Sequence, residues 1–497
     1  GKFATVPLIK RIDSAHCDGS GAQTAPKNSK EFIPVSLPRV MYSAASVVAA
    51  GFILTACAVG PDFEAPATPA TSGYTPQPLP EATSSADLPG GAEQRFRMGD
   101  DIAAQWWTLF QSPPLNELIA QAVRNNPSLQ EAEAVLRQAQ ENLYAQRGII
   151  FPEVDGNLSS TRQKSYGAFG SGGAVPVPAY TITTASVSVS YALDIFGGAR
   201  RALESTTAQT EQSRFQMEAA YLTLTSNVVI AAVQHASLRA QLNATENILD
   251  AQEQQLAVLE RQLELGGVAE ADVLTQRTAI AQTRAQLPAL QKLLAQSRTQ
   301  LLALAGRFPD EALDADLDLA MMDLLAELPV SLPSQLVQQR PDIRASEANL
   351  HAASADIGLA TALMLPQISL NGRYGSSASS FADLLSAGTG IWSLSAGLTQ
   401  QILRGGELLH RKRAAVAAYD GAAAQYRGTV LAAFQNVSDV LSALQVDAVA
   451  LEAQSDAERA AAESFAIAQT RYQAGASNFL TLLDAQHHAL TVDVADA

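Results

Sequence analysis

Cysteine is almost absent from this sequence, and the two present, Cys17 and Cys57, stand in no metal-like spacing. Neither a disulfide framework nor a zinc site is therefore expected. The six histidines form no HExxH pattern, and His487 and His488 are merely adjacent. A nucleophile–base set and a phosphate-binding loop are also lacking, so the sequence offers no catalytic residue, no metal site and no cofactor site. Aromatic residues make up only 6% of the chain, while Ala, Gln and Leu dominate long stretches. That is the composition of long helices rather than of a compact α/β enzyme. Basic residues are the scarcer charge, 33 against 49 acidic, for a net −16. This balance excludes a nucleic-acid partner, which needs a basic stripe. The acidic surplus admits two readings, solubility or a cation-friendly lumen.

The apolar run Ser43–Ala56 is shorter than the ~20 residues a spanning helix needs. It fits the apolar region of a secretory signal. Its end, Leu54-Thr55-Ala56-Cys57, is similar to a bacterial lipobox, in which the cysteine is acylated and becomes the first mature residue. The alternative is an ordinary secretory signal with a cysteine there by chance. Residues 1–56 are thus expected to be a leader and lipoprotein signal peptide. Residues 57–100, rich in Pro, Ala, Ser and Thr, read as an extended linker.

The remainder is duplicated. Asn126-Pro127-Ser128-Leu129 matches Arg340-Pro341-Asp342-Ile343, and Phe151-Pro152-Glu153-Val154 matches Leu365-Pro366-Gln367-Ile368. Ile195-Phe196-Gly197-Gly198 matches Leu403-Arg404-Gly405-Gly406, and Leu265-Gly266-Gly267 matches Ala474-Gly475-Ala476. The four matches keep their order at one spacing of about 210 residues. The copies are placed at 101–310 and 334–497, with an equatorial segment at 311–333 between them.

Each copy opens with a helix whose first turn accommodates Pro127 or Pro341. Strands follow. Val154, Gly156 and Leu158 alternate with Asp155, Asn157 and Ser159; Ile368, Leu370, Gly372 and Tyr374 alternate with Gln367, Ser369, Asn371 and Arg373. Gly/Ser-rich loops are expected around 167–173 and 375–390. In the return strands, Val187, Val189, Tyr191, Leu193 and Ile195 oppose Ser186, Ser188, Ser190 and Asp194. Trp392, Leu394, Ala396 and Leu398 oppose Ser393, Ser395 and Thr399. Strands of about ten residues, apolar on one face and polar on the other, suit a transmembrane barrel. Four strands cannot close one, and lipid tolerates no open edge. The barrel must therefore be shared between protomers.

A very long helix follows in each copy. No glycine or proline occurs from Ala199 to Leu265, which at 1.5 Å per residue is about 100 Å of helix. Leu249, Leu256 and Leu263, with Leu259 between, form a heptad-like seam. The second helix, Glu407 to Ala474, lacks proline but carries Gly421 and Gly428. Small residues then turn each chain back into a returning helix. A soluble coiled-coil rod would explain these helices but not the strands.

Several blocks resemble the TolC-type outer-membrane factors, in particular their NodT-like lipoprotein branch. They are Cys57-Ala58-Val59-Gly60-Pro61-Asp62-Phe63, Trp106-Trp107-Thr108-Leu109-Phe110, and Arg340-Pro341-Asp342-Ile343-Arg344-Ala345-Ser346-Glu347. Arg471-Tyr472-Gln473-Ala474-Gly475, followed by Leu480-Thr481-Leu482-Leu483-Asp484, is another. The resemblance covers essentially all of 57–497. It implies a mainly α fold with a transmembrane β part: long α-helical hairpins forming a barrel, and four strands per protomer entering a twelve-stranded trimeric β-barrel. The implied place is the bacterial outer membrane, lipid-anchored and reaching into the periplasm. A homotrimer, a periplasmic adaptor, an inner-membrane RND-type transporter and outer-membrane lipid are the implied partners. The implied function is a passive exit duct for small molecules rather than an enzyme. The alternative is the duct of a type I protein secretion system; the lipobox favours efflux.

On this resemblance Cys57 carries the lipid. The tips Leu265, Gly266, Gly267, Val268 and Ala474, Gly475, Ala476, Ser477 meet the adaptor, although their glycines are equally explained by the turn alone. Glu463, Gln469, Arg471 and Tyr472 are the candidate gate, with Arg471 and Tyr472 as a polar latch. Relatives often carry an acid at the position of Gln469. The last helix covers about 20 residues from Ser477 against its longer first-copy counterpart, so the chain is expected to be shortened at its C-terminal end. Arg340-Pro341-Asp342 reads as a helix start. Trp106, Trp107 and Trp392 read as packing or interfacial anchors.

Overall fold

A computed structural model describes residues 58–496 apart from positions 72, 89, 101, 165, 169–173, 177, 314 and 323. The leader at 1–56 and Cys57 lie outside the described residues, as does most of the loop expected at 167–173.

A short strand, β1 (Arg95–Met98), comes first, then a 3-10 turn at Trp106–Phe110 and helices α1 (Pro113–Asn125) and α2 (Pro127–Gly148). Strands β2 (Glu153–Gln163), β3 (Tyr166–Ala168), β4 (Ala174–Pro176) and β5 (Tyr180–Leu193) follow. The first long hairpin is α3 (Gly198–Glu264, 67 residues) and α4 (Glu270–Leu304, 35 residues). After β6 (Glu327–Val330) the pattern repeats as α5 (Pro333–Gln339), α6 (Pro341–Ala362), β7 (Gln367–Ala378), β8 (Gly390–Thr399), α7 (Glu407–Gln473, 67 residues) and α8 (Phe479–Asp496). Gly421 and Gly428 leave α7 unbroken.

Two expectations need correction. The stretch 57–100, read as an extended linker, contains β1, which pairs in parallel with β6 from the segment read as equatorial. Four-residue strands carry too little alternation to be seen in sequence. The loop expected from Gly375 begins only after Ala378, because β7 continues through Gly375-Ser376-Ser377-Ala378 in register with β5.

The larger sheet runs in the order β2-β5-β7-β8, all antiparallel. Its register aligns like with like. Val154, Val189, Gly372 and Leu394 stand in one row, and Gly156, Val187, Tyr374 and Trp392 in the next. Tyr191, Leu370 and Ala396, then Leu193, Ile368 and Leu398, extend the same face. The opposite face carries Asp155, Ser188, Arg373 and Ser393, beside Glu153, Ser190, Asn371 and Ser395. Slipping one strand by one residue would put a polar row among apolar ones, so the alternation fixes the pairing. The apolar face is bare within the protomer: Trp392 is 78% exposed and Leu394 79%. β2 and β8 are open edges. Among the described residues these edges leave a row of unpaired backbone groups flanked by apolar side chains, a template for further strand pairing.

Three cores position the helices. α1 buries Leu115, Leu118, Ile119 and Ala122, the spacing of one helical face, against Val228, Ala232 and Ala236 of α3, Leu301 of α4 and Trp107. Asn126 locks this corner. Its Oδ1 accepts from the Ser128 and Leu129 amides (2.9 and 3.3 Å) and its Nδ2 donates to the Leu304 carbonyl (2.9 Å). α6 joins the copies by packing on α3. Its buried face is built of small residues, among them Ala345, Ala348, Ala352, Ala355 and Gly358, which let the backbones approach closely. A second core gathers Leu336, Val337 and Ile343 against Tyr426, Val430 and Ala433 of α7.

Tyr74 fastens the N-terminal stretch to this second core. Its hydroxyl donates to the Ser331 carbonyl (2.8 Å), and burial pushes the phenol up to about 12, with Arg340 opposing weakly. The raised value means the fold favours the protonated phenol. The contribution is whole below the ordinary 10.0 and is lost as pH rises towards 12. Tyr74→Phe is expected to cost about 1 kcal/mol at neutral pH. In denaturant titrations that difference from wild type should shrink once pH exceeds about 10.

Candidate functional site at the hairpin tips

The two tips are built alike. Gly266 (φ +75°) and Gly475 (φ +70°) each take the left-handed conformation just past a helix. The Gly267 amide donates back to the Gln262 carbonyl (2.7 Å) and that of Gly266 to Leu263 (2.9 Å). In the second copy Ala476 donates to Arg471 (2.8 Å) and Gly475 to Tyr472 (3.0 Å). This is the same Schellman cap twice, satisfying carbonyls that would otherwise be orphaned. The returning helices are capped by different acceptors. Asp272 Oδ2 accepts from the Ala269 amide (3.2 Å), and Asn478 Oδ1 from the Thr481 amide (2.9 Å). Leu265 stands 74% exposed at the first tip, while Ala474, Gly475 and Ala476 are exposed at the second. Val268 packs partly inward, and buried Ser477 Oγ has no partner among the described residues.

A third core ties the tips together. Leu259 and Val273 of the first hairpin pack with Ala468, Phe479 and Leu482 of the second. Tyr472 lies at its edge, 6.0 Å from Phe479 ring to ring, and its hydroxyl donates to Gln262 Oε1 (3.2 Å). Burial, helped by the negative charge of Asp272, raises the phenol above its ordinary value. It therefore remains a donor through neutral pH.

The expected latch pair is split. Tyr472 turns inward to the other hairpin of its own protomer, whereas Arg471 is exposed. Consecutive helical residues lie about 100° apart and cannot share a face. Glu463 and Gln469 are exposed too, and among the described residues neither Glu463 nor Arg471 has an ion-pair partner in the protomer.

Sequence reasoning missed Gln262, the acceptor of Tyr472, because it lies in the other copy. It also missed two bridges across the first hairpin, Arg277–Glu260 (2.7 Å) and Arg284–Glu253 (2.6 Å). At the spacing that superposes Gly266 on Gly475, Glu260 and Arg277 correspond to Gln469 and Gln486. The second hairpin thus carries two glutamines where the first has its Arg277–Glu260 bridge. Between the hairpins lies an open groove of about 850 Å³, lined by Gln252, Thr275, Gln282, Leu480, Leu483 and Asp484 among others. Behind it the buried Gln276 donates to the Gln252 carbonyl (2.9 Å). This arrangement packs the two hairpins against each other.

Residues 118–307 and 332–496 match the family described as outer membrane efflux protein. The chain is 32% identical over 453 residues to the antibiotic efflux pump outer membrane protein ArpC of Pseudomonas putida, with 90% of each covered. Among solved structures it is similar to the outer-membrane channel OprN, with a TM-score of 0.78 and 28% identity, covering 88% of this chain and 95% of that one. It is also similar to the open state of the MtrE channel of Neisseria gonorrhoeae, with a TM-score of 0.74 and 25% identity, covering 88% and 94%.

Proposed function

The chain belongs to the outer membrane efflux protein family, and from that premise we propose that three copies form a passive exit duct through the outer membrane. The observation that carries this reading is the four-stranded sheet, apolar on one face, polar on the other and open at both edges. Three such sheets joined edge to edge make a twelve-stranded barrel with lipid outside and water within. From its foot the two 67-residue helices, each about 100 Å long, carry the wall into the periplasm. The duct takes small molecules handed over by an inner-membrane RND-type transporter through a periplasmic adaptor that meets Leu265–Val268 and Ala474–Ser477. Cys57 carries the lipid anchor. The protein catalyses nothing; its work is to open and close.

The mouth is held by two kinds of contact. Within a protomer, Tyr472 bonds Gln262 and keeps the second hairpin against the first. Between protomers, the exposed Arg471, which has no ion-pair partner among the described residues, can reach a neighbouring copy, and the exposed Glu463 and Gln469 lie on the same helix.

Conductance across planar bilayers tests this. The wild-type trimer should give small, gated steps. Tyr472→Phe removes one hydrogen bond worth about 1 kcal/mol and should raise open probability several-fold. Arg471→Ala should enlarge the steps and weaken their salt dependence. A water-soluble species without conductance would overturn the duct; unchanged steps in both variants would overturn the gate alone.

A further inference from the structure

The first described residues dock in a site of their own, far along α3 from the tips. The Val59 amide donates to the Phe196 carbonyl (3.1 Å) where β5 passes into α3. Gly60 has φ +104°, and a Cβ built on it would lie 2.3 Å from the Gly358 Cα. A Cβ on Gly197 would lie 2.6 Å from the Ala58 Cα, and one on Gly358 only 2.9 Å from the Arg201 side chain. Three glycines therefore mark the places where the segment, α3 and α6 meet without room for a methyl group.

Arg201 is the centre of the site. It sits in the first turn of α3 with its side chain only 5% exposed. Its Nε donates to the Val59 carbonyl (3.2 Å), and its Nη2 to the Gly60 carbonyl (3.4 Å) and Asp62 Oδ1 (2.7 Å). Its Nη1 donates to Glu204 Oε2 (2.8 Å). The other oxygen of Glu204 meets His351 Nε2 of α6 at 3.0 Å. Phe63 stacks on the His351 ring, 4.3 Å between centroids and 12° from parallel. A buried guanidinium with a planar fork is suited to reading adjacent carbonyls and a carboxylate together. Surface decoration would not need it buried.

We propose that this is a peptide-binding seat whose ligand is the segment Val59-Gly60-Pro61-Asp62-Phe63, and that its occupancy clasps the two copies of the duplication together. The ligand class is an extended peptide with glycine second, an acid fourth and an aromatic fifth. Each feature has its receptor: Gly358 for the glycine, Arg201 for the carbonyls and the acid, His351 for the ring. Arg201 belongs to the first copy, while Gly358 and His351 belong to the second. The segment therefore bridges α3 and α6 where the sheet begins.

Hydrogen–deuterium exchange on the full-length protein in detergent tests the seat. Gly60→Val alters only the ligand, at an exposed position. Residues 58–64 should then exchange about tenfold faster or more, since tenfold corresponds to the loss of about one such bond set. The facing segments 196–204 and 348–362 should also speed up, while the tips should not. Adding a synthetic peptide of residues 58–64 to this variant should restore protection of 196–204 and 348–362. Gly358→Ala, which fills the receptor side, should release the segment and defeat that rescue. If the segment exchanges at unfolded-chain rates in the wild type, the seat does not exist. If Gly60→Val frees the segment without loosening α3 or α6, the clasp is overturned.

Discussion

Leu394→Arg is expected to prevent stable insertion of the protein into membranes. Leu394 stands in the middle of the apolar face, in the row shared with Val154, Val189 and Gly372, and is 79% exposed in the protomer. In a lipid-facing barrel wall an arginine near the midplane costs about 2–4 kcal/mol. A trimer incurs that cost three times in one cooperative barrel. Folding into lipid vesicles, followed by heat-modified gel mobility, should show loss of the detergent-resistant trimer. Ser395→Arg, one residue further on, is the matched control. Ser395 faces the other way, beside Asn371, and an added charge there stays in water. It should insert normally and alter only conductance. Equal tolerance of both changes would mean that the apolar face does not meet lipid.

A second large effect is expected at the tips. Leu259 is fully buried where both hairpins meet. Leu259→Ala removes three carbons from a site whose neighbours come from four helices and cannot all collapse inward. Such changes cost about 2–5 kcal/mol. The loss should be local, because the cores at Leu301 and at Ile343 lie elsewhere and share no residue with this one. Amide exchange near 255–275 and 465–482 should accelerate by at least about thirtyfold, the factor matching the lower figure, with the sheet unchanged. Channel openings should become frequent. Val258→Ala, on the half-exposed side of the same turn, should do neither. If Leu259→Ala lowered global stability and left the tips protected, the tip core would not be the element that keeps the mouth closed.

Much of this was open to reading from the residues. The duplication located both hairpins and both pairs of long strands, since period-two alternation in Val187–Tyr191 and Trp392–Ala396 is strong. Gly266 and Gly475 marked the tips because a helix that must end in a left-handed residue selects glycine. Other features depend on distance in space. Tyr472 and Gln262 are 210 positions apart, and nothing local in either says which way the tyrosine turns. β1 and β6 are too short to announce themselves, and neither is stable without the other. Arg201 reads as an ordinary helical surface cation; the approach of Val59–Asp62 and of Gly358 buries it.

The unequal hairpins have a mechanical consequence. One is riveted by Arg277–Glu260 and Arg284–Glu253, while its counterpart carries Gln486 and Gln469 at the first of these places. In a ring of three copies, stiff and compliant staves would alternate six times around the mouth. Strain applied anywhere on the rim would collect in the three compliant ones. The aperture would then widen in threefold steps rather than as a uniform circle, and the size of its cargo would be set by how far three staves bend, not six.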